Sequence, residues 1–206
     1  SGTAIARWAP PAPGRPTRAA IVGAGVQGRA HVPVLGYLVP GVEIAIHDRD
    51  GARAEKLARD AAGIPGIGAA RAVADPREAV ADADVVVTCV SFGPVRQVMS
   101  RDWFAPDALI VAVDYATSVA AEVAREAALF LVDEEGQFRA NREAGHFDGY
   151  PDPMAVLGAA IRDVTPRPSA GRVVVSHLGV GLADLVFAEA ILAAAAARGI
   201  GTILPR

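Results

Sequence analysis

Six residues near the start of the chain have the types and spacing to hold a phosphate. Gly23-Ala24-Gly25-Val26-Gln27-Gly28 is a complete GxGxxG, placed directly after the apolar run AAIV and at the head of a segment that reads as a helix. In that setting Gly23 permits a tight turn and Gly25 lets the backbone approach a pyrophosphate. Gly28 lets the helix pack closely on the strand. The helix N-terminus, with Val26 and Gln27 in its first turn, offers free amides and a partial positive charge. Asp48 closes the next apolar alternation, 20 positions after Gly28. A carboxylate there accepts hydrogen bonds from ribose hydroxyls, which favours NAD. Arg49 follows directly and leaves NADP open, because a guanidinium can hold the 2′-phosphate.

Further candidates lie later in the chain. Thr88, Cys89 and Val90 end a wholly apolar run, at the strand edge where ligands of open parallel sheets sit, and are assigned to the nicotinamide half of the site. Cys89 itself reads as a small buried hydrophobe rather than a nucleophile, since nothing near it would activate a thiol. Asp114 ends another strand and is a candidate general acid or base, because burial beside a cofactor raises a carboxyl's pKa. His31, His47, His146 and His177 show no ligand spacing, so no metal is expected. Lys56, the single lysine, sits in the solvated pattern AEKLARD and is a poor Schiff-base candidate. Asp133, Glu134 and Glu135 read as a solvated charge run. Asp184 reads as an acid at the head of a helix, where it suits the dipole.

The elements that must position these residues alternate between strand and helix. Strands are expected at 18–23, 42–48, 69–73 (weakly), 84–90, 108–114, 129–134 and 172–178. Helices are expected at 51–63, closed by Gly63, and at 76–82, 95–99, 118–128, 137–145, 154–162 and 182–199, besides the one opened by the glycine motif. This order implies a parallel sheet covered on both faces. Residues 1–18 hold a short helical piece and a linker in which Pro10, Pro11, Pro13 and Pro16 cannot continue a helix. A division into 1–18, a dinucleotide-binding domain over 19–178, and a C-terminal helix and tail over 179–206 packing back on it follows.

Composition narrows the class. The 206 residues carry 20 basic and 23 acidic side chains, a net charge of −3, which speaks against a nucleic-acid binder. Apolar residues make up 52% and charged residues 21%, enough for a core and unlike a disordered chain. One cysteine excludes an internal disulfide. No apolar run approaches the roughly 20 residues of a membrane span, and a reducing, cytoplasmic setting is expected.

The stretches AAIVGAGVQGRAHVPVL, ADADVVVTCV, DWFAPDALIVAVDYATSVAAEV and VVVSHLGVGLADLVFAEAILAAAAARGIGT carry a more specific signal. Through them the chain resembles the ornithine cyclodeaminase and mu-crystallin family. The resemblance implies an α/β fold with a Rossmann-type doubly wound parallel sheet that uses NAD or NADP. It implies an activity on a small amino or imino acid: ketimine reduction, amine oxidation or cyclodeamination, or else non-catalytic dinucleotide and ligand binding. It places Val113 and Leu178 with the cofactor-binding residues and makes His177, in the nicotinamide-facing segment SHLG, the histidine suited to proton transfer. The family's N-terminal substrate and dimerisation domain is expected to be lacking here and to be supplied as a separate or cleaved chain, with Ser1 to Trp8 as the tail of its leading helix. A homo-oligomer is expected. An ungapped alignment on Pro106 and Glu122 puts Ala116 where the family has its catalytic aspartate. Asp114 then either stands in or leaves the deaminating chemistry absent.

Overall fold

The computed structural model describes residues 1–91, 93 and 95–202. Among these residues eight strands form in chain order: β1 (Arg18–Val22), β2 (Val42–His47), β3 (Ile67–Ala72), β4 (Val85–Thr88), β5 (Leu109–Ala112), β6 (Leu129–Val132), β7 (Ala155–Val156) and β8 (Val173–Ser176). They make one parallel sheet in the order β3-β2-β1-β4-β5-β8-β6-β7. The inner strands β4, β5, β6 and β8 are buried at every position, as strands covered on both faces must be. Two separate apolar clusters fill the two faces. Val22, Val86, Ile110, Phe130 and Val174 point to one; Ile21, Val85, Val111, Leu131 and Val175 point to the other. The expected Rossmann-type architecture is therefore the one observed.

The helices are α1 (Gly2–Trp8), α2 (Val26–Leu38), α3 (Gly51–Ala61), α4 (Pro76–Val80), α5 (Ala121–Arg125), α6 (Glu135–Glu143), α7 (Leu157–Arg162) and α8 (Gly181–Ala197). α1 docks on α2 and β5 through Ala4, Ile5 and Trp8, all buried. Burying side chains the size of Ile5 and Trp8 contributes roughly 1.5–3 kcal/mol each. Arginines tie the segment down: Arg7 donates to the carbonyls of Val164 and Thr165, and Arg167 to that of Trp8. Arg15 forms a bidentate pair with Asp84, fixing the proline-rich stretch to the start of β4.

Four local expectations fail, for physical reasons. Residues 95–99 form no helix. Met99 instead makes a parallel bridge with Val119, and Gln97, at φ 55°, donates its amide to the carbonyls of Ala116 and Thr117. The same pairing holds 118–120 extended, so the helix expected over 118–128 shrinks to α5. Residues 155–156 add to the sheet edge as β7 before α7 begins. Finally, α8 does not pack back on the domain: none of its residues is buried. Its apolar residues lie all round the helix, with Leu182, Leu185, Phe187 and Leu192 each at least 66% exposed. A helix of this kind has no single face to lay on a core.

Candidate functional site

The glycine turn joins β1 to α2, and two of its three glycines are fixed by close backbone contacts. Gly23 has φ 108°, and a Cβ there would lie 2.6 Å from the carbonyl oxygen of Cys89. A Cβ on Gly28 would lie 2.0 Å from the carbonyl oxygen of Gly23, so α2 can sit this close only without a side chain. Gly25 differs: nothing lies within 4 Å of its Cβ position. It is the N-cap of α2, no side chain caps the helix, and the first turn holds no acid. Val26 and Gln27 are exposed at this open end. The amides of the first helical turn thus face a space that the chain leaves unfilled, which suits an anion.

Asp48 lies beside this turn. Its Oδ2 accepts from the amide of Ala24 at 2.7 Å and its Oδ1 from that of Asp50 at 2.8 Å. Arg49 is exposed next to it. The donor set of Gly23 to Gly28 with Asp48 and Arg49 fits a dinucleotide.

The remaining sequence candidates collect at the carboxyl ends of β4, β5 and β8, but on two sides of the sheet. Asp114 continues the face of Ile110 and Ala112 and is 2% exposed. Its carboxylate accepts from Ser118 Oγ at 2.6 Å, Thr88 Oγ1 at 3.0 Å and the amide of Val90 at 3.2 Å. Burial raises its pKa, against the pull of these donors. With three donors taken, the geometry gives Asp114 the work of holding the β4 and β5 ends together. Ala116 is buried in the same apolar cluster. Cys89 points to the other side, its Sγ donating to the carbonyl of Gly23 at 3.1 Å. Burial, then the charges of Asp114 and Asp48, push its pKa up to about 12, so the thiol stays protonated. Val113 sits half-buried on that side, and Leu178 is buried at the end of β8.

His177 continues the face of Val173 and Val175, opposite to Asp114. The structure therefore does not bring the two candidate catalytic residues together. It brings His177 to Asp133, with Nδ1 and Oδ2 3.6 Å apart. Asp133 is not part of a solvated charge run: it is nearly buried, Glu134 caps α6 through the amides of Gly136 and Gln137, and Glu135 pairs with Arg139. The sequence did hold a signal for Asp133. Like Asp48 and Asp114, it stands just past the end of an apolar strand. Ser118 carried no such signal. Arg96 donates to the carbonyl of Gly145, and Arg29 is exposed. Among the described residues, no group of three or more His, Cys, Asp or Glu side chains could hold a metal, and no helix is long and apolar enough to cross a membrane.

Residues 12–198 match the sequence profile of the ornithine cyclodeaminase/mu-crystallin family. The chain belongs to that family. A provisional dehydrogenase of Rhizobium meliloti (strain 1021) is 30% identical over 194 residues, which cover 89% of this chain and 58% of the relative. Two solved structures share the fold. An archaeal alanine dehydrogenase dimer with bound NAD superposes with a TM-score of 0.79 at 20% identity, over 99% of this chain and 64% of that one. The Thermococcus litoralis Δ1-pyrroline-2-carboxylate reductase, in complex with NADH and L-proline, superposes with a TM-score of 0.77 at 21% identity, over 98% and 64%. This family member thus spans about three-fifths of the length of the proteins it matches.

Proposed function

We propose that this chain is the dinucleotide-binding part of a nicotinamide-dependent oxidoreductase acting on the carbon–nitrogen bond of a small amino or imino acid. One observation carries the reading: the open, uncapped N-terminus of α2 at Gly25, flanked by Asp48. NADH and L-proline in one relative and NAD in another support the substrate class and the cofactor. In this reading the amides from Gly23 to Gly28 hold the pyrophosphate and Asp48 takes the adenosine ribose, with Arg49 available to a 2′-phosphate. Thr88, Cys89, Val90, Val113 and Leu178 border the nicotinamide. When bound, the cofactor supplies or accepts the hydride. His177 is the group that moves a proton at the substrate nitrogen. Asp114 holds the edge against which the reactants are aligned, and alignment is most of the protein's task.

The carboxylate of such a substrate needs a paired cation, since an unpaired buried charge costs several kcal/mol. We assign that cation to a second polypeptide segment, the family's N-terminal domain or a further copy, which also covers the exposed apolar surface of α8.

Calorimetric titration with NADH and NADPH tests the cofactor. Binding of NADH, weakened at least tenfold by Asp48→Ala, is the expected result; a folded protein that binds neither nucleotide removes the proposal. NADH oxidation with cyclic imines, with and without the N-terminal domain of a relative, tests the reaction. Ammonia release without net cofactor turnover would point instead to deaminating cyclisation.

A further inference from the structure

Asp133 lies one residue beyond β6, on the face where Leu129 and Leu131 pack. Its side chain is 9% exposed. Both carboxylate oxygens lie 3.0 Å from the amide nitrogen of Leu178, and Oδ2 lies 2.8 Å from that of Gly179. Oδ2 also faces His177 Nδ1 at 3.6 Å, longer than a formed hydrogen bond. Burial works to raise this carboxyl, but the imidazole and the two amides outweigh it and hold it below the usual carboxylate range.

On the other side of the ring, His177 Nε2 is buried and has no hydrogen-bond partner among the described residues. Buried polar atoms are nearly always paired, so an orphan nitrogen calls for a reason. The neighbouring titratable groups are His31 on α2, whose pKa is lowered by burial first and in part by the charges of the Ser1 amino group and His177, and that amino group itself, lowered by burial against the pull of Asp133. His31 Nδ1 is occupied by the carbonyl of Gln27 at 2.7 Å. The carboxylate that faces His177 Nδ1 is that of Asp133.

We propose that Asp133 is the positioning residue of this edge: its carboxylate clamps the 177–179 turn and keeps a proton on His177 Nδ1, leaving Nε2 as the nitrogen that exchanges a proton with the substrate. The destination of that proton rests on the proposed C=N reduction; the clamp rests on contacts within this chain. In the reducing direction the imine carbon takes the hydride as the dihydronicotinamide is oxidised. The C=N π pair moves onto nitrogen, where an N–H bond forms as the Nε2–H bond of the imidazolium breaks. A neutral imidazole remains with its proton on Nδ1 beside Asp133, and a solvent proton restores the imidazolium.

The test uses the full chain labelled with 15N. The wild-type protein is expected to show the Nδ1–H tautomer of neutral His177 and slow exchange of the Leu178 and Gly179 amides. Asp133→Asn is expected to speed exchange at those two amides on the order of tenfold to a hundredfold, the loss of a charge-assisted hydrogen bond, and to mix the tautomers. His177→Gln is expected to leave the two amides protected. Wild-type exchange rates in Asp133→Asn overturn the clamp. A wild-type His177 with its proton on Nε2 overturns the proposal whether or not the variant folds. Where NADH-dependent imine reduction is measured, Asp133→Asn is expected to shift the pH profile of kcat and leave the KM for NADH unchanged. An unmoved profile overturns the positioning role. Failure of the wild-type chain to bind NADH would sink the proposed function and leave the spectroscopic outcomes to decide the rest.

Discussion

Asp48 Oδ2 accepts a hydrogen bond from the amide of Ala24 at 2.7 Å, so the acid that ends β2 also shapes the glycine turn at the end of β1. Its second oxygen is held by the amide of Asp50. The turn is therefore set before any ligand arrives, which lowers the cost of ordering it on binding. Asp48→Ala is expected to cost on the order of 1–3 kcal/mol of stability as well as affinity, because it leaves donors unsatisfied. Denaturant unfolding with and without NADH separates the two effects.

Gly25 and Gly28 should respond in opposite ways to the same methyl group. Gly28→Ala meets the backbone oxygen of Gly23 at 2.0 Å and is expected to destabilise the fold by roughly 1–3 kcal/mol. Gly25→Ala meets nothing and is expected to leave the melting temperature nearly unchanged while weakening dinucleotide binding at least tenfold. Calorimetric melts paired with NADH titrations give both numbers. Equal loss of stability in the two variants would contradict the geometry.

Asp114 and Asp133 are expected to give pH dependences of opposite sign. Burial raises the Asp114 carboxyl above 3.8, so the folded state holds its proton more tightly than the unfolded state. Its favourable contribution is complete below pH 3.8 and is lost as the pH rises through the folded value. Asp133 is lowered below 3.8 despite burial, through His177, Leu178 and Gly179. Its contribution is present above pH 3.8 and is lost as the pH falls through the folded value. Urea midpoints measured from about pH 2 to about pH 7 should show Asp114→Asn flattening the upper part of the profile and Asp133→Asn the lower part.

Cys89 is expected to resist alkylation in the folded protein. Its thiol is pushed up to about pH 12 and lies against the Gly23 carbonyl, so little thiolate forms near neutrality. Mass spectrometry after iodoacetamide at pH 8 should find it unmodified until denaturant is added. Rapid labelling of the native chain would show that the β4 end is more open than these contacts allow.

The surface of α8 predicts a separation of stability from association. Phe187→Asp removes no buried contact, since Phe187 is 67% exposed, and is expected to change stability by no more than about 0.5 kcal/mol. The same change is expected to weaken self-association, or capture of the N-terminal domain, by at least tenfold. Sedimentation velocity of the variant alone and mixed with that domain reads this directly.

Much of this fold was legible because its signals are local. An apolar run flanked by turn residues is a strand wherever it goes, and Gly23, at φ 108°, and Gly28, against the Gly23 carbonyl, answer to the geometry of the turn itself. Asp48 followed from a fixed count along the same unit. The short helix expected at 95–99 misled because Gln97 and Met99 find their partners at 116–119, some twenty residues away, and long-range pairing overrode local preference.

What the sequence by itself determined was the periodicity, the glycine turn and the family. Only the tertiary structure decided that β8, the last strand, enters between β5 and β6. That insertion brings His177 beside Asp133 and turns it away from Asp114. Side chains alternate faces along each strand, so which ones meet at a sheet edge depends on strand order and register. Neither is written in the spacing of one strand. The charge of Asp133 was plain in the sequence; its burial against two amides and an imidazole comes from a strand that follows it by some forty residues.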